Sequence, residues 1–166
     1  MQPHGIHHLT AISAQIQDNH RFYTDTLGLR LVKRSVNQDD VSAYHLFYAD
    51  GAGSPGTDLT FFDFDVPPAR PGVYAINRTA LRIHGAASFA YWQERLAEHG
   101  VKADAPTTVG GRLTLRFEDP EGQRLALVED DGAGDAPTPW EDSPVPAEHQ
   151  IRGLGPIRAA VPSAAP

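Results

Sequence analysis

Cysteine is absent from the chain, and that one absence removes three chemistries: a disulfide framework, thiolate-bound metal and a cysteine nucleophile. Any transition metal must then be held by His, Asp or Glu. Positive charge is scarce as well. Fourteen Lys and Arg stand against 21 Asp and Glu, for a formal net charge of −7, and the basic residues form no patch along the sequence, so nothing marks a nucleic-acid partner. No apolar run approaches the roughly 20 residues of a membrane-spanning helix. Met1-Gln2-Pro3-His4-Gly5 lacks the basic start and apolar core of a secretory signal. The expectation is a cytoplasmic protein that engages neither membrane nor nucleic acid. The HExxH, GxSxG and P-loop patterns are also missing, which removes the usual support for zincin, serine-hydrolase and nucleoside-triphosphatase readings.

What is present is a repeat. At 166 residues and 40% hydrophobic content, the chain suits one ordinary domain or two small modules with a common core. Residues 6–12 read as a strand, and Asp18 is placed to cap a helix through Phe22, Tyr23 and Leu27 that Gly28 ends. Strand-like runs follow at 29–36, 44–48 and 59–64, divided by turn formers such as Asp50-Gly51-Ala52-Gly53-Ser54-Pro55-Gly56. The order is β-α-β-β-β. It recurs over 73–130, with a strand at 76–83 and an amphipathic helix marked by Phe89, Trp92 and Leu96 and ended by Gly100. A weakly written strand within 101–108 comes next, then strands at 112–117 and 124–129 joined by the turn Asp119-Pro120-Glu121-Gly122.

Overlaying the copies matches Phe22-Tyr23 to Tyr91-Trp92, Leu27-Gly28-Leu29 to His99-Gly100-Val101, and Tyr48-Ala49-Asp50 to Phe117-Glu118-Asp119. The predicted organisation is a first β-α-β-β-β module over residues 5–65, a second over 72–131 and a Pro-, Gly- and Asp-rich linker over 132–152 that Trp140 pins down. Residues 153–166 then give the first strand of a truncated third module, because Gly153-Leu154-Gly155-Pro156-Ile157-Arg158 repeats the pattern of Gly5-Ile6-His7-His8-Leu9-Thr10. One helix and four strands are too few to bury an apolar face alone, so the expected class is α+β with two tandem modules sharing a sheet-based core.

Histidine offers the most suggestive chemistry. His7-His8 falls inside a strand, where alternation sends neighbouring side chains to opposite faces, so only one of the two can point into a pocket. If Leu9 and Ala11 pack under the helix, His8 and Thr10 line the open face, and a neutral imidazole on a rigid strand is a good ligand for Fe, Mn or Zn. The plainer reading of His8 is a half-buried, hydrogen-bonded strand residue. His45, within Tyr44-His45-Leu46-Phe47-Tyr48, either lines a pocket and hydrogen-bonds a phenol or packs in its strand. His4, His20, His84, His99 and His149 are expected to be solvated, and so are the acids of Asp39-Asp40, Asp63 with Asp65, and Glu129-Asp130-Asp131. No single segment supplies the two His and one carboxylate of an open-sided non-haem iron site.

Repeated β-α-β-β-β modules resemble the vicinal oxygen chelate superfamily, which includes glyoxalase I, fosfomycin-resistance proteins and extradiol dioxygenases. Gly5-Ile6-His7-His8-Leu9-Thr10-Ala11-Ile12, Phe22-Tyr23-Thr24, Leu27-Gly28-Leu29-Arg30-Leu31-Val32-Lys33, Tyr44-His45-Leu46 and Gly53-Ser54-Pro55-Gly56-Thr57 are closely similar to bacterial ring-cleaving dioxygenases of the hydroquinone type. Asp119-Pro120-Glu121-Gly122, Val145-Pro146 and Ile151-Arg152-Gly153 extend the likeness over nearly the whole chain. The resemblance implies a cup-shaped mixed sheet with helices on the outside, Fe(II) or Mn(II) as metal, and a hydroquinone- or catechol-like substrate cleaved with dioxygen. In that superfamily ligands stand on the first and last strands of a module. Of those positions His8 carries a ligand, whereas Thr60, Arg78 and Ala126 do not. The pocket residues implied are Thr10, Tyr44, His45, Thr60 and Phe62.

The resembled dioxygenases have four modules, the first pairing with the fourth. The chain therefore reads as an N-terminal half whose remaining ligands come from missing modules or a partner chain, and a homodimer is expected to cover exposed cup surface and strand edges. Two other readings stay open. A metal-free small-molecule binding module of the bleomycin-resistance type suits Arg78 and Ala126; a glyoxalase-like lyase needs a fuller ligand set.

Overall fold

In the computed structural model, which describes residues 5–70 and 72–163, the chain forms two sheets built in the same order. His4 and the last three residues of the expected third-module strand lie outside the described residues. The first sheet contains β1 (His8–Ser13), β2 (Arg30–Val36), β3 (Tyr44–Ala49) and β4 (Asp58–Asp63) in the order β1-β4-β3-β2, with β1 and β4 parallel. The second contains β5 (Ala75–Ile83), β6 (Thr107–Val109), β7 (Arg112–Glu118) and β8 (Arg124–Glu129) in the order β6-β7-β8-β5, with β5 and β8 parallel. There β9 (Leu154–Ala160) adds antiparallel to the outer edge of β5. A helix follows the first strand of each copy: α1 (Ile16–Arg21), prolonged by a π turn over Phe22–Thr26, and α2 (Ala86–Glu98). The architecture is mixed α+β, as the strand and helix signals predict. The weak strand of the second copy shrinks to the three residues of β6 because Pro106, just before it, has no N–H to give to a ladder.

Alternation sets the core. Leu9 and Ala11 of β1 turn inward while His8, Thr10 and Ile12 turn outward. Leu59 and Phe61 of β4 and Leu46 and Tyr48 of β3 are buried on the same inner face, under Phe22, Tyr23 and Leu27. In the second copy Leu81, Ile83, Leu115, Phe117, Leu125 and Leu127 lie under Phe89, Trp92 and Leu96. These residues form one continuous cluster completed by Val145 and Ile151, so neither copy closes a core by itself.

One expectation about local structure needs correction. The first helix begins at Ile16, ahead of Asp18, because its entry is capped from the other copy: Glu121 accepts the Ala14 N–H at 2.8 Å and the Ser13 hydroxyl, and Ser13 Oγ accepts the Gln15 N–H at 3.2 Å. Asp18 sits instead in the first turn, paired with Arg21. The Pro- and Gly-rich connection, expected to be pinned by Trp140, is anchored at further points along its length. The Thr138 N–H donates to Asp50 at 2.8 Å, the Trp140 N–H to Gln150 at 2.9 Å and Ser143 Oγ to the Gly28 carbonyl at 2.8 Å. Gly28, at φ +69°, lets Val145 seat against it; a Cβ there would stand 2.5 Å from Val145 Cγ2.

Of the groups expected to be solvated, Asp130 is buried and His149 half-buried. Asp130 is fully buried and accepts Arg152 Nε at 2.7 Å, Arg82 at 3.4 Å and the Gly132 N–H at 2.8 Å. Burial alone would raise its pKa, but the bonds from Gly132 and Arg152, with His84 adjacent, hold the carboxyl below the ordinary carboxylate value. His84 and His99 stay exposed as expected, though each has a polar partner: His84 Nδ1 lies 3.3 Å from the same carboxylate and His99 Nδ1 3.2 Å from Thr26 Oγ1, while His149 stacks on Tyr91 with Nδ1 3.0 Å from Ser88 Oγ. Each partner is remote in sequence, so no local pattern announces it.

Asp130→Ala leaves Arg82 and Arg152 without their counter-charge and is expected to cost about 3 kcal/mol in urea unfolding. Because the folded-state pKa is depressed, the stabilisation is present above the unfolded value near 3.8 and is lost as pH falls through the lower folded value. Asp130→Asn should accordingly flatten the acid limb of the stability profile, measured by thermal unfolding between pH 2 and pH 7.

Candidate functional site

The outward residues of the first sheet form a polar line bordered by rings. Pairing sets His8 beside Asp58, Thr10 beside Thr60, and Phe62 between Ile12 and His45. Thr60 Oγ1 donates to Thr10 Oγ1 at 2.9 Å and stands 3.0 Å from His45 Nε2. With the Thr60 hydrogen given to Thr10, Nε2 of His45 carries the hydrogen that Thr60 accepts, which leaves Nδ1 as an acceptor. The imidazole lies between Phe62 and Phe47, with ring centroids 3.9 and 4.0 Å away. Burial lowers its pKa, and Lys33 and His8 lower it further, so the ring is neutral at neutral pH.

His8, Thr10, His45, Thr60 and Phe62 thus share one face. Tyr44 does not join them: it alternates with His45 onto the side of Leu46 and Tyr48, where the Arg34 guanidinium lies 5.7 Å from its ring centroid. His7 also departs from expectation. It precedes β1, so strict alternation does not apply to it, and its Nδ1 approaches His8 Nδ1 to 3.2 Å.

Sequence reasoning missed Asp58. It faces the same way as Thr60 and pairs with His8, and among the described residues its Oδ1 is buried without a hydrogen-bond partner. Burial raises its pKa, opposed by the nearby His8 and His7. The spacing Asp58-x-Thr60-x-Phe62 carries the signal, but only the parallel register with β1 shows that its first member meets His8.

In the second sheet Arg78, Ala80, Ala126 and Arg116 occupy the places that His8, Thr10, Thr60 and Phe47 take in the first. Among the described residues none of the strand positions on that face carries an imidazole. Among the described residues one His and carboxylate group, His84 with Glu129 and Asp130, is close enough to hold a metal. Its oxygens are already engaged: Asp130 by two arginines and Gly132, Glu129 Oε1 by the N–H groups of Gly85 and Asp131. It is a knot that fastens β9 and the connection to β5 and β8. A hollow of about 880 Å³ near Asp18, Arg21, His99 and Lys102 includes none of the first-sheet residues just described.

The neutral state of His45 is directly measurable. Its imidazole is expected to titrate below 6.5 in proton–nitrogen NMR correlation spectra, with the Nε2–H tautomer dominant at pH 7. A midpoint at or above 6.5 would contradict the enclosed, ring-flanked environment.

Residues 5–127 match the Glyoxalase/Bleomycin resistance protein/Dioxygenase superfamily. The chain is 43% identical over its full length to the Bacillus subtilis protein named "Putative ring-cleaving dioxygenase MhqA", covering 53% of that protein. It is 31% identical to the chlorohydroquinone/hydroquinone 1,2-dioxygenase of Sphingobium indicum, over 90% of this chain and 47% of the relative. The crystal structure of a dioxygenase described as putative, from B. subtilis, superposes with a TM-score of 0.84 at 35% identity, over 93% of this chain and 49% of that one. The chain spans about half the length of the curated relatives it matches. No helix among the described residues is long and apolar enough to cross a membrane. With both its repeated fold and most of its sequence accounted for by that match, the chain belongs to the glyoxalase, bleomycin-resistance and dioxygenase superfamily.

Proposed function

We propose that this chain contributes a metal ligand and one aromatic wall to a ring-cleaving dioxygenase that uses Fe(II) or Mn(II) and acts with dioxygen on hydroquinone- or catechol-like compounds. The reading rests on one observation: the exposed His8 imidazole lies beside Asp58, whose buried oxygen has no partner among the described residues, at the end of the Thr10, Thr60 and His45 line. An imidazole and a carboxylate on adjacent strands suit part of the donor set of such a divalent ion. Bound there, the metal would supply coordination of the ring hydroxyl and dioxygen and charge transfer between them.

The chain's own residues do the rest. Phe62 and Phe47 hold the His45 imidazole between them and give the line an aromatic border beside which a ring substrate would lie. His45 Nδ1, neutral and facing no described donor, accepts the hydroxyl proton of the bound ring, while Thr60 and Thr10 fix the tautomer. The outer edge of β1 has no partner among the described residues, although the matching edge of β5 is covered by β9. Completing the site falls to a further module or a second copy of the chain laid along that edge, and a homodimer meets the need.

A second reading, a metal-free binding module, is favoured by the arginine and alanine at positions 78 and 126. Elemental analysis after anaerobic loading with Fe(II) or Mn(II) and desalting distinguishes the two. The dioxygenase reading expects retained metal that falls at least tenfold in His8→Ala, a smaller loss in Asp58→Asn, and oxygen uptake with hydroquinone. Tight binding of aromatics with no metal and no oxygen uptake would support the second reading instead.

A further inference from the structure

Arginines dispersed along the sequence gather once the second sheet forms, contrary to the expectation of no basic patch. Arg78 of β5, Arg112 and Arg116 of β7 and Arg158 of β9 line a hollow of about 520 Å³ together with Ala80 and Ala126. The floor is apolar, because Ala80, Ala126 and Val128 form their own buried cluster. The small side chains of the alanines leave the hollow that the bulkier Thr10 and Thr60 occupy at the matching places of the first sheet.

The charges in this hollow lack counter-charges. Among the described residues Arg21, Arg82, Arg124 and Arg152 each pair with a carboxylate, whereas none of the four lining arginines does. Arg78 donates once, from Nη1 to the Leu125 carbonyl at 2.8 Å. Burial and then the neighbouring Arg116, Arg124 and Arg158 disfavour its charged form, with Asp104 acting in the other direction. Clustered like charges over a partly buried floor cost stability unless an anion offsets them. A chain of net charge −7 gathers this positive potential in one concave place.

We propose that the open face of the second sheet is a metal-independent binding site for a small organic anion, a carboxylate carried on a single apolar ring or short chain. Guanidinium groups meet carboxylates in paired hydrogen bonds, and the alanine floor receives the apolar body. The volume lies within the usual range for small-ligand sites. The two repeats then share a scaffold and differ in chemistry: imidazole, hydroxyl and phenyl on the first sheet, guanidinium and methyl on the second.

The test is calorimetric titration and thermal shift of the whole chain with benzoate and phthalate, with benzyl alcohol as the uncharged analogue and inorganic phosphate as the anion lacking an apolar body. One benzoate per chain is expected, with a rise in Tm. Affinity should weaken at least tenfold in Arg116→Gln and in Arg78→Gln, and should be unchanged in His8→Ala. Arg78 also ties down the Leu125 carbonyl, so Arg116→Gln is the variant whose effect reports charge alone, with circular dichroism confirming the fold. Benzyl alcohol and phosphate should each bind at least tenfold more weakly than benzoate. The proposal is overturned by absence of saturable benzoate binding, by equal affinity in Arg116→Gln, or by phosphate binding as tightly as benzoate.

Discussion

The parallel pairing of β1 with β4, and of β5 with β8, is the constraint from which the rest of the molecule follows. Parallel neighbours cannot be joined by a tight hairpin, so each copy must leave its first strand, form a helix and return through two further strands before the last can lie beside the first. That circuit puts a helix over one face only. Leu9, Ala11, Leu59 and Phe61 turn beneath it, and the opposite residues, His8, Thr10, Asp58 and Thr60, are forced together on the uncovered side. A slip of one residue between β1 and β4 would exchange the two sets entirely. The polar line of the first sheet is in this sense a by-product of how the core is filled.

The two copies depend on each other through a few buried polar contacts. Tyr23 is fully enclosed, and its hydroxyl reaches Asp119 in the other copy at 3.1 Å. Burial and the adjacent Asp119 raise the phenol pKa well above its usual value, so it remains a donor. Asp119 and its repeat partner Asp50 do the same local work, each accepting two N–H groups of the turn that follows. They differ in the second oxygen: Asp119 receives Tyr23 and Asp50 receives the Thr138 N–H. The repeat thus uses one turn design twice, binding copy to copy in one place and copy to connection in the other.

Much of this is legible in the residue order. Apolar alternation, the glycines that end the helices and the matched Tyr48-Ala49-Asp50 and Phe117-Glu118-Asp119 motifs are local signals, and they lead to the two-copy fold and to His8 on an open face. What stays hidden depends on register or on remote partners. Asp58 gains meaning only beside His8, Asp130 only between Arg82 and Arg152, and the arginines at 78, 112, 116 and 158 only when three strands bring them to one hollow. Tyr44 shows the opposite error: proximity to His45 in sequence suggests a common site, and the pleat separates them.

The close contact between Gly28 and Val145 has a mechanical consequence. The segment between β8 and β9 supplies Val145 and Ile151 to the common core and is anchored to both copies, at Asp50 and Gly28 on one side and at Trp92 through the His149 carbonyl on the other. Such a segment works as a brace rather than a tether. The two open faces are thereby braced through one common core, so whatever docks on one meets a frame that already includes the other.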